Sequence, residues 1–445
     1  MRTLYIIISC FWIIILIVFP AQAQTGNKLT VEESVKMALE HSYPLKVAEA
    51  DAEGAEAAFR ESRSNRFPSV SGRASYMRLS DNIPAVDFSP PGSDTTFTIL
   101  PVELDQFHSE LSVKQLLFAG GRLNNRIEAA DHQAEAAGLM KKKKAVQVAF
   151  NVREAYWKLY QAQAEHKVTI SALKRVNEHL KNVRNKLEAG AALQTDLLNA
   201  KTRRSEVLLD QVENRNGVQM ARLELNRLLG LPAEAQTNPV KPDTIVVFPF
   251  KMDELKKHAL EQRPGLQALS KQVGASEAQI DAVQGTWFPE VSLVGRYIYA
   301  RPNQYFYAQQ DEFKGTWEAG VQLRWNLWSG GQRSAKISQV RAQLRKAEAR
   351  LANRREQASV AVSRRYLELK RAAESINVAA NSVEAAKKAW ESAQRQYKEG
   401  VALSEQVLDA QHAYRKAQAR HAQAMADYQI AHAGVLNALG QIWRK

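Results

Sequence analysis

Cysteine is all but missing. The one thiol, Cys10, sits in the N-terminal apolar stretch. A chain that loses that stretch has no disulfide, no thiolate nucleophile and no lipid attachment site. Chemistry-bearing motifs are missing too. There is no Gly-x-x-x-x-Gly-Lys-Ser/Thr loop, no His-Glu-x-x-His, no cysteine pair and no Gly-x-Ser-x-Gly. ATP is therefore not the energy source, and neither zinc hydrolysis nor serine catalysis is indicated. His412, His421 and His432 share one expected helix but are nine and eleven residues apart. Side chains meet at three or four, so these are scattered helix histidines. No catalytic residue, metal or cofactor is expected. Long apolar runs are also lacking. The longest, Leu4 to Phe19, has 16 residues, short of the ~20 that a spanning helix needs. With Arg2 before it and Ala21-Gln22-Ala23 after it, residues 1–23 read as a secretory signal.

Without Arg2 the chain carries 60 basic and 47 acidic residues. They are interspersed, as on solvated helix faces. Lys141 to Lys144 read as an exposed helix face in an exported chain, and no nucleic acid partner is expected.

What is present is a sequence written twice. At an offset of 210, Gly120-Gly121 falls on Gly330-Gly331, Tyr156 on Tyr366, Leu187 on Tyr397, Gly190 on Gly400, and Leu229-Gly230 on Leu439-Gly440. Upstream the offset is 221, and Phe67-Pro68-Ser69-Val70-Ser71 falls on Phe288-Pro289-Glu290-Val291-Ser292. Eleven extra residues in the first copy account for the change, and most belong to Asp81–Pro101, with Pro84, Pro90, Pro91 and Gly92. A unit this long is no solenoid repeat.

Between Gly121 and Gly190 there is no proline, and Gly138 is the one internal glycine. Leu173, Val176, Leu180, Val183 and Leu187 step by three and four, as do Val383, Ala386, Trp390, Ala393 and Tyr397. This is coiled-coil spacing. About seventy helical residues reach roughly 100 Å. The return segments after Gly190 and Gly400 are about 40 residues long and cover only about 60 Å. Helical patterns at Leu29–Arg66 and Met252–Gly285, laid end to end with them, make up the difference. The first repeat is then 24–230: a helix, strands near 69–80 and 105–118, a long helix 121–189 and a return helix 191–230. A Pro-rich linker at 231–250 belongs at the mid-height break. The second repeat is 251–445: helix 252–286, strands near 290–300 and 315–328, long helix 331–399 and return helix 401–440.

The strands alternate. Trp317, Val321, Leu323 and Trp325 share one face against Glu318, Gln322, Arg324 and Asn326. Runs of about ten residues suit a tilted membrane strand, and Trp287, Trp317, Trp325 and Trp328 suit its aromatic anchors. Two isolated hairpins have no second sheet to pack on, so the apolar face is assigned to membrane lipid. Four strands cannot close a barrel, and open edges are not tolerated in lipid. The chain must oligomerise: two copies give eight strands, three give twelve and a lumen.

The chain resembles the TolC-like outer-membrane efflux proteins. The resemblance rests on the two Phe-Pro-x-Val-Ser entries, on Leu117-Phe118-Ala119-Gly120-Gly121 with Leu327-Trp328-Ser329-Gly330-Gly331, on the turns at Gly190 and Gly400, and on both Leu-Gly helix ends. It implies a mainly α chain forming a homotrimer, with a 12-stranded membrane β-barrel and a periplasmic α-helical barrel. It also implies a passive exit duct for efflux or type I secretion, working with a periplasmic adaptor (a membrane fusion protein) and an inner-membrane pump of RND or ABC type. A periplasmic coiled-coil adaptor or scaffold without a channel is the alternative. By the resemblance the glycine turns are the periplasmic tips, closed by Tyr397 and Asp409. Gln406 and Ala402 stand where the family has Asp and Arg. Asp196, Asn199 and Leu187 occupy the matching positions of the first half. Tyr397 also continues the apolar stepping, so a place in the coiled-coil core stands beside the gate role. Gly190, Ala191, Ala192, Leu193, Gly400, Val401, Ala402 and Leu403 are the expected adaptor-binding tips; a staple within each turn is the plainer account of Leu193 and Leu403.

Overall fold

The computed structural model describes residues 28–92, 94–95, 97–100, 102–241, 251–306 and 311–443. The expected signal peptide and most of the second half of the linker lie outside these residues. In chain order the elements are β1 (Lys28–Leu29), α1 (Val31–His41), α2 (Tyr43–Ser64), β2 (Ser69–Arg78), β3 (Val86–Phe88), β4 (Phe97–Leu100), β5 (Asp105–Phe118), α3 (Arg122–Glu188), α4 (Gln194–Leu229), β6 (Asn238–Pro239), α5 (Met252–Gln262), α6 (Pro264–Gln284), β7 (Glu290–Arg301), β8 (Lys314–Arg324), α7 (Gln332–Lys398) and α8 (Ser404–Leu439).

The two long helices have 67 residues each and the two return helices 36 each. At 1.5 Å per residue the long ones span about 100 Å. The α4 helix packs on α3, and α8 packs between α7 and α3. The other halves of the long helices take α2 and α6, which stack head to tail with the return helices. Gly230, at the end of α4, lies against His41, and Gly440, at the end of α8, lies against Pro264.

The two shorter helical patterns are each broken, against the expectation of one helix apiece. The breaks fall at Ser42 and Arg263, just before Tyr43-Pro44 and Pro264. Pro264 pushes Arg263 out of the α region, and Pro44 takes a first-turn position of α2, where its missing N–H costs nothing, so at both places a helix restarts rather than continues. At the first break Ser42 Oγ accepts from Leu45 N–H at 3.4 Å, which caps the new helix.

Mid-height is set by Tyr156, 1% exposed and close to the middle of α3. Its hydroxyl donates to the Leu29 carbonyl at 2.9 Å and accepts from Val240 N–H at 2.8 Å. Leu29 belongs to the short parallel pair β1–β6, and Val240 follows β6 in the middle of the linker. Burial pushes the Tyr156 hydroxyl up to about 12. Arg153, one turn away, donates to the Ile442 carbonyl at 2.6 Å and lies over Trp443. Burial brings its guanidinium down to about 10.

The hairpins are not isolated. They join through β5 and β7 into one antiparallel sheet of order β2-β5-β7-β8, with β2 and β8 as open edges. Cross-strand partners share a face, and the register sorts the sheet. Val70, Leu111, Val113, Leu293, Tyr297, Trp317, Val321 and Leu323 fall on one face. Ser71, Ser112, Arg296, Glu318 and Gln322 fall on the other, where Ser71 bonds Ser112 at 2.8 Å and Arg296 pairs with Glu318 at 2.5 Å. Trp317 is 79% exposed and Val321 67%.

The last strand ends sooner than expected, at Arg324. Pro289 has no N–H to offer a ladder, and β7 begins only at Glu290, so 325–328 has no neighbouring strand. Trp325 is thus off the strand; its indole N–H donates to the Trp287 carbonyl at 3.1 Å. The loop 79–104 folds a small hairpin, β3–β4. At the foot of β5, Gly120 has φ +61°, and a Cβ there would collide with Phe288 and the Gly285 carbonyl, so only glycine fits.

Candidate functional site at the helical tip

The turns at the far end of the helices span residues 189–193 and 399–403. Gly190 (φ +72°) and Gly400 (φ +80°) take the left-handed conformation that closes a helix, and Ala191 N–H and Val401 N–H return to the Lys186 and Gln396 carbonyls. Ala191, Leu193, Val401 and Leu403 are exposed, with Val401 77% accessible. Ala192 and Ala402 are half-buried. Ala402 packs on a small core of Val183, Leu197, Ala200, Tyr397 and Val407, with Leu187 beside it.

Asp196 and Gln406 do local work that the sequence reading did not assign. The Asp196 carboxylate accepts from Leu193 N–H at 3.1 Å, and Gln406 Oε1 accepts from Leu403 N–H at 3.1 Å. Each satisfies an orphan donor at the start of its return helix. An amide does this as well as a carboxylate, which accounts for Gln406. Asn199 is exposed.

Tyr397 is 6% exposed and lies in the core between the two hairpins. Lys186 Nζ lies 4.2 Å from its ring centroid and also donates to its carbonyl. Burial, and then the charge of Asp196, push the Tyr397 hydroxyl above its ordinary value. Beside it stands His179, whose Nε2 is hydrogen-bonded to Ser404 Oγ at 2.9 Å and whose ring centroid is 5.1 Å from that of Tyr397. Burial holds the imidazole at about 4, so it is neutral at pH 7.

Asp409 is not walled in. It lies 3.6 Å from Arg203 Nη2, and its side chain is 68% exposed. Higher up, Arg415 pairs with Asp210. These two ion pairs join α4 to α8, whereas His179–Ser404 and Lys186–Tyr397 join α3 to the second hairpin. The sequence reading missed His179, Lys186, Arg203, Asp210, Ser404 and Arg415. None belongs to a motif, and their pairings lie 205 to 225 residues apart in sequence.

The family model described as outer membrane efflux protein matches residues 34–231 and 255–441. The chain belongs to that family. The match covers both hairpins and the strands and helices above them. The outer membrane efflux protein BepC of Brucella suis biovar 1 is 23% identical over 345 residues, 75% of this chain and 72% of that one. The proteases secretion protein PrtF of Dickeya chrysanthemi is 24% identical over 236 residues, 52% of this chain and 48% of that one. Among solved structures, CusC superposes with a TM-score of 0.79 at 19% identity, over 94% of this chain and 93% of that one. This efflux protein resides in the outer membrane, with its helical part extending into the periplasm. Among the described residues no helix is long and apolar enough to cross a membrane.

Proposed function

We propose that this efflux protein is the passive exit duct of an efflux or type I secretion machine, working as a homotrimer. The observation that carries this is the four-stranded sheet with one apolar face, one polar face and two open edges. In lipid both edges need partners. Pairing β8 of one copy with β2 of the next, three times over, gives twelve strands around a polar lumen. Strands of 10 to 14 residues tilted by about 40° give a wall about 25–35 Å tall, enough to cross the hydrocarbon core of about 30 Å. Aromatic belts mark its rims. Tyr76, Phe107, Tyr299 and Phe313 cluster at one end, with centroids 4.7–5.6 Å apart. Trp287, Trp325 and Trp328 stand at the other.

The helices leave matching edges. On α4, Leu198, Leu209, Val212, Met220 and Leu223 are exposed, and on the far side of the protomer Val360, Leu367 and Val378 of α7 are exposed. Both sets repeat at helical spacing and suit neighbouring copies. The loop 79–104 then lies outside the cell. The tips around Gly190–Leu193 and Gly400–Leu403 dock the periplasmic adaptor, and the inner-membrane pump drives transport. Leu187, Asp196, Asn199, Tyr397, Gln406 and Asp409 surround the closure, with Tyr397 holding the hairpins together and Asp409 nearest the axis. Fractionation with the outer membrane and migration as an SDS-resistant trimer are the expected results. A folded monomer in the soluble periplasmic fraction would instead favour a scaffold without a channel.

A further inference from the structure

The inner side of the upper helices can be read from two landmarks. Arg122, the first residue of α3, pairs with Glu290, which also pairs with Lys114 at 3.3 Å on the polar face of the sheet. The mid-height attachments, held by Tyr156 and Arg153, cover α3 from other directions. Residues in helical phase with Arg122 include Arg126, Gln133, Lys144 and Gln147, with Ala129, Ala136 and Met140 between them. The positions 210 residues on, in α7, are Lys336, Gln343, Arg354 and Gln357, with Arg350 in the same stripe. None is acidic. The exposed carboxylates Glu128, Asp131 and Glu135 of α3 fall on the opposite side, where Glu135 pairs with Lys271 of α6 at 2.5 Å.

Between Gln332 and Arg365, α7 holds ten basic and two acidic residues. Among the described residues no carboxylate pairs with Lys143, Lys144, Arg263, Arg350 or Arg354. Arg354 donates instead to Gln357 Oε1 at 2.7 Å. Lys143 runs along Gly265, where a Cβ would sit 3.2 Å from its Cδ, and so lies beside the Arg263–Pro264 break. Burial lowers the Lys143 ammonium, and the nearby charges that act on it, Arg354, Arg263 and Lys144, are all cations. Arg263 is lowered by burial and by Arg354. Like charges gathered without a counter-charge repel, and a multivalent anion relieves that repulsion through charge-assisted hydrogen bonds.

We propose that Lys143, Lys144, Arg263, Arg350 and Arg354 form a cationic band on the inner wall of the helical duct, just above mid-height, which binds multivalent anions. The proposal rests on the trimeric-duct reading, in which three copies set the band around one lumen. Below it the charges pair again, as Lys158 with Glu154 at 2.7 Å.

The test is block of single-channel current by sodium tripolyphosphate added on the extracellular side, from which it reaches the band without crossing the tip. The expected result is block of the native channel, at least tenfold weaker in the Arg263→Gln, Arg350→Gln, Arg354→Gln triple variant and in the single Arg354→Glu variant. Lys271→Gln, on the outer side, should leave the block unchanged. A conducting native channel that tripolyphosphate does not block, or blocks at the same concentration in all variants, overturns the anion band and leaves the duct standing. A folded protein that never conducts overturns the duct, and the band with it.

Discussion

His179 Nε2 and Ser404 Oγ lie 2.9 Å apart, joining α3 to the first residue of α8 across 225 positions of sequence. The contact is buried, with the Tyr397 ring tilted at 53° beside it. The imidazole is held at about 4, first by burial, with Lys186 adding to the shift and Asp196 opposing it. A base whose folded value is depressed disfavours the protonated native state. Its penalty is absent above the ordinary value near 6.5, grows as pH falls and is complete below about 4. The tip should therefore loosen between about pH 6.5 and 4, by up to roughly 3 kcal/mol per protomer. His179→Gln keeps a hydrogen bond to Ser404 and removes the titration. Conductance that rises on acidification in the native protein and stays flat in His179→Gln is expected. Identical pH profiles would remove His179 from the closure.

The Asp210–Arg415 and Arg203–Asp409 pairs tie the two hairpins together within one protomer. The first is partly buried and the second open to solvent, so only the first should carry much of the closure, at about 1–3 kcal/mol. Asp210→Asn should raise single-channel conductance severalfold. Asp409→Ala should change it little while weakening cation selectivity and block by divalent cations. Unchanged reversal potentials in Asp409→Ala would show that this carboxylate does not line the constriction.

Val321 and Gln322 are neighbours on opposite faces of β8, across from Leu293 and Ser292. Val321→Arg should destabilise the assembled barrel by about 2–4 kcal/mol if it lies near the midplane. Gln322→Arg should assemble normally and alter conductance. Thermal dissociation of the trimers to monomers in detergent reads both, and the reverse pattern would invert the sheet.

Most of this fold was legible because two periods run through the chain. Coiled-coil stepping marked the long helices, and alternation marked β5, β7 and β8. The breaks at Ser42 and Arg263 were missed because stretches of helix-forming residues on either side of Pro44 and Pro264 hide the interruption. The end of β8 was missed because Trp325 and Leu327 continue the alternation past the point where Pro289 removes their partner. At the tip the glycine turns were readable, since local backbone conformation demands them. The bonds that join the hairpins were not, since His179 and Ser404, or Arg415 and Asp210, meet only through tertiary packing. Asp196 and Gln406 show a related limit. Spacing from a glycine located them, but their hydrogen bonds go to their own helix ends.

Gly400 has φ +80°, and a Cβ added there would meet nothing within 4 Å. A bulky residue at this turn meets only backbone strain of about 1–3 kcal/mol and would stand out from the tip. Gly400→Trp should leave trimers intact and abolish export in cells. Normal export by that variant would remove this turn from the adaptor contact.

The central claim is that three copies close one continuous duct, and planar-bilayer recording of the purified protein tests it most directly. Discrete conductance steps, carried by the SDS-resistant trimer and lost when heat dissociates it, are the predicted result. A folded protein that enters bilayers without conducting, or conducts equally well as a monomer, would contradict the claim.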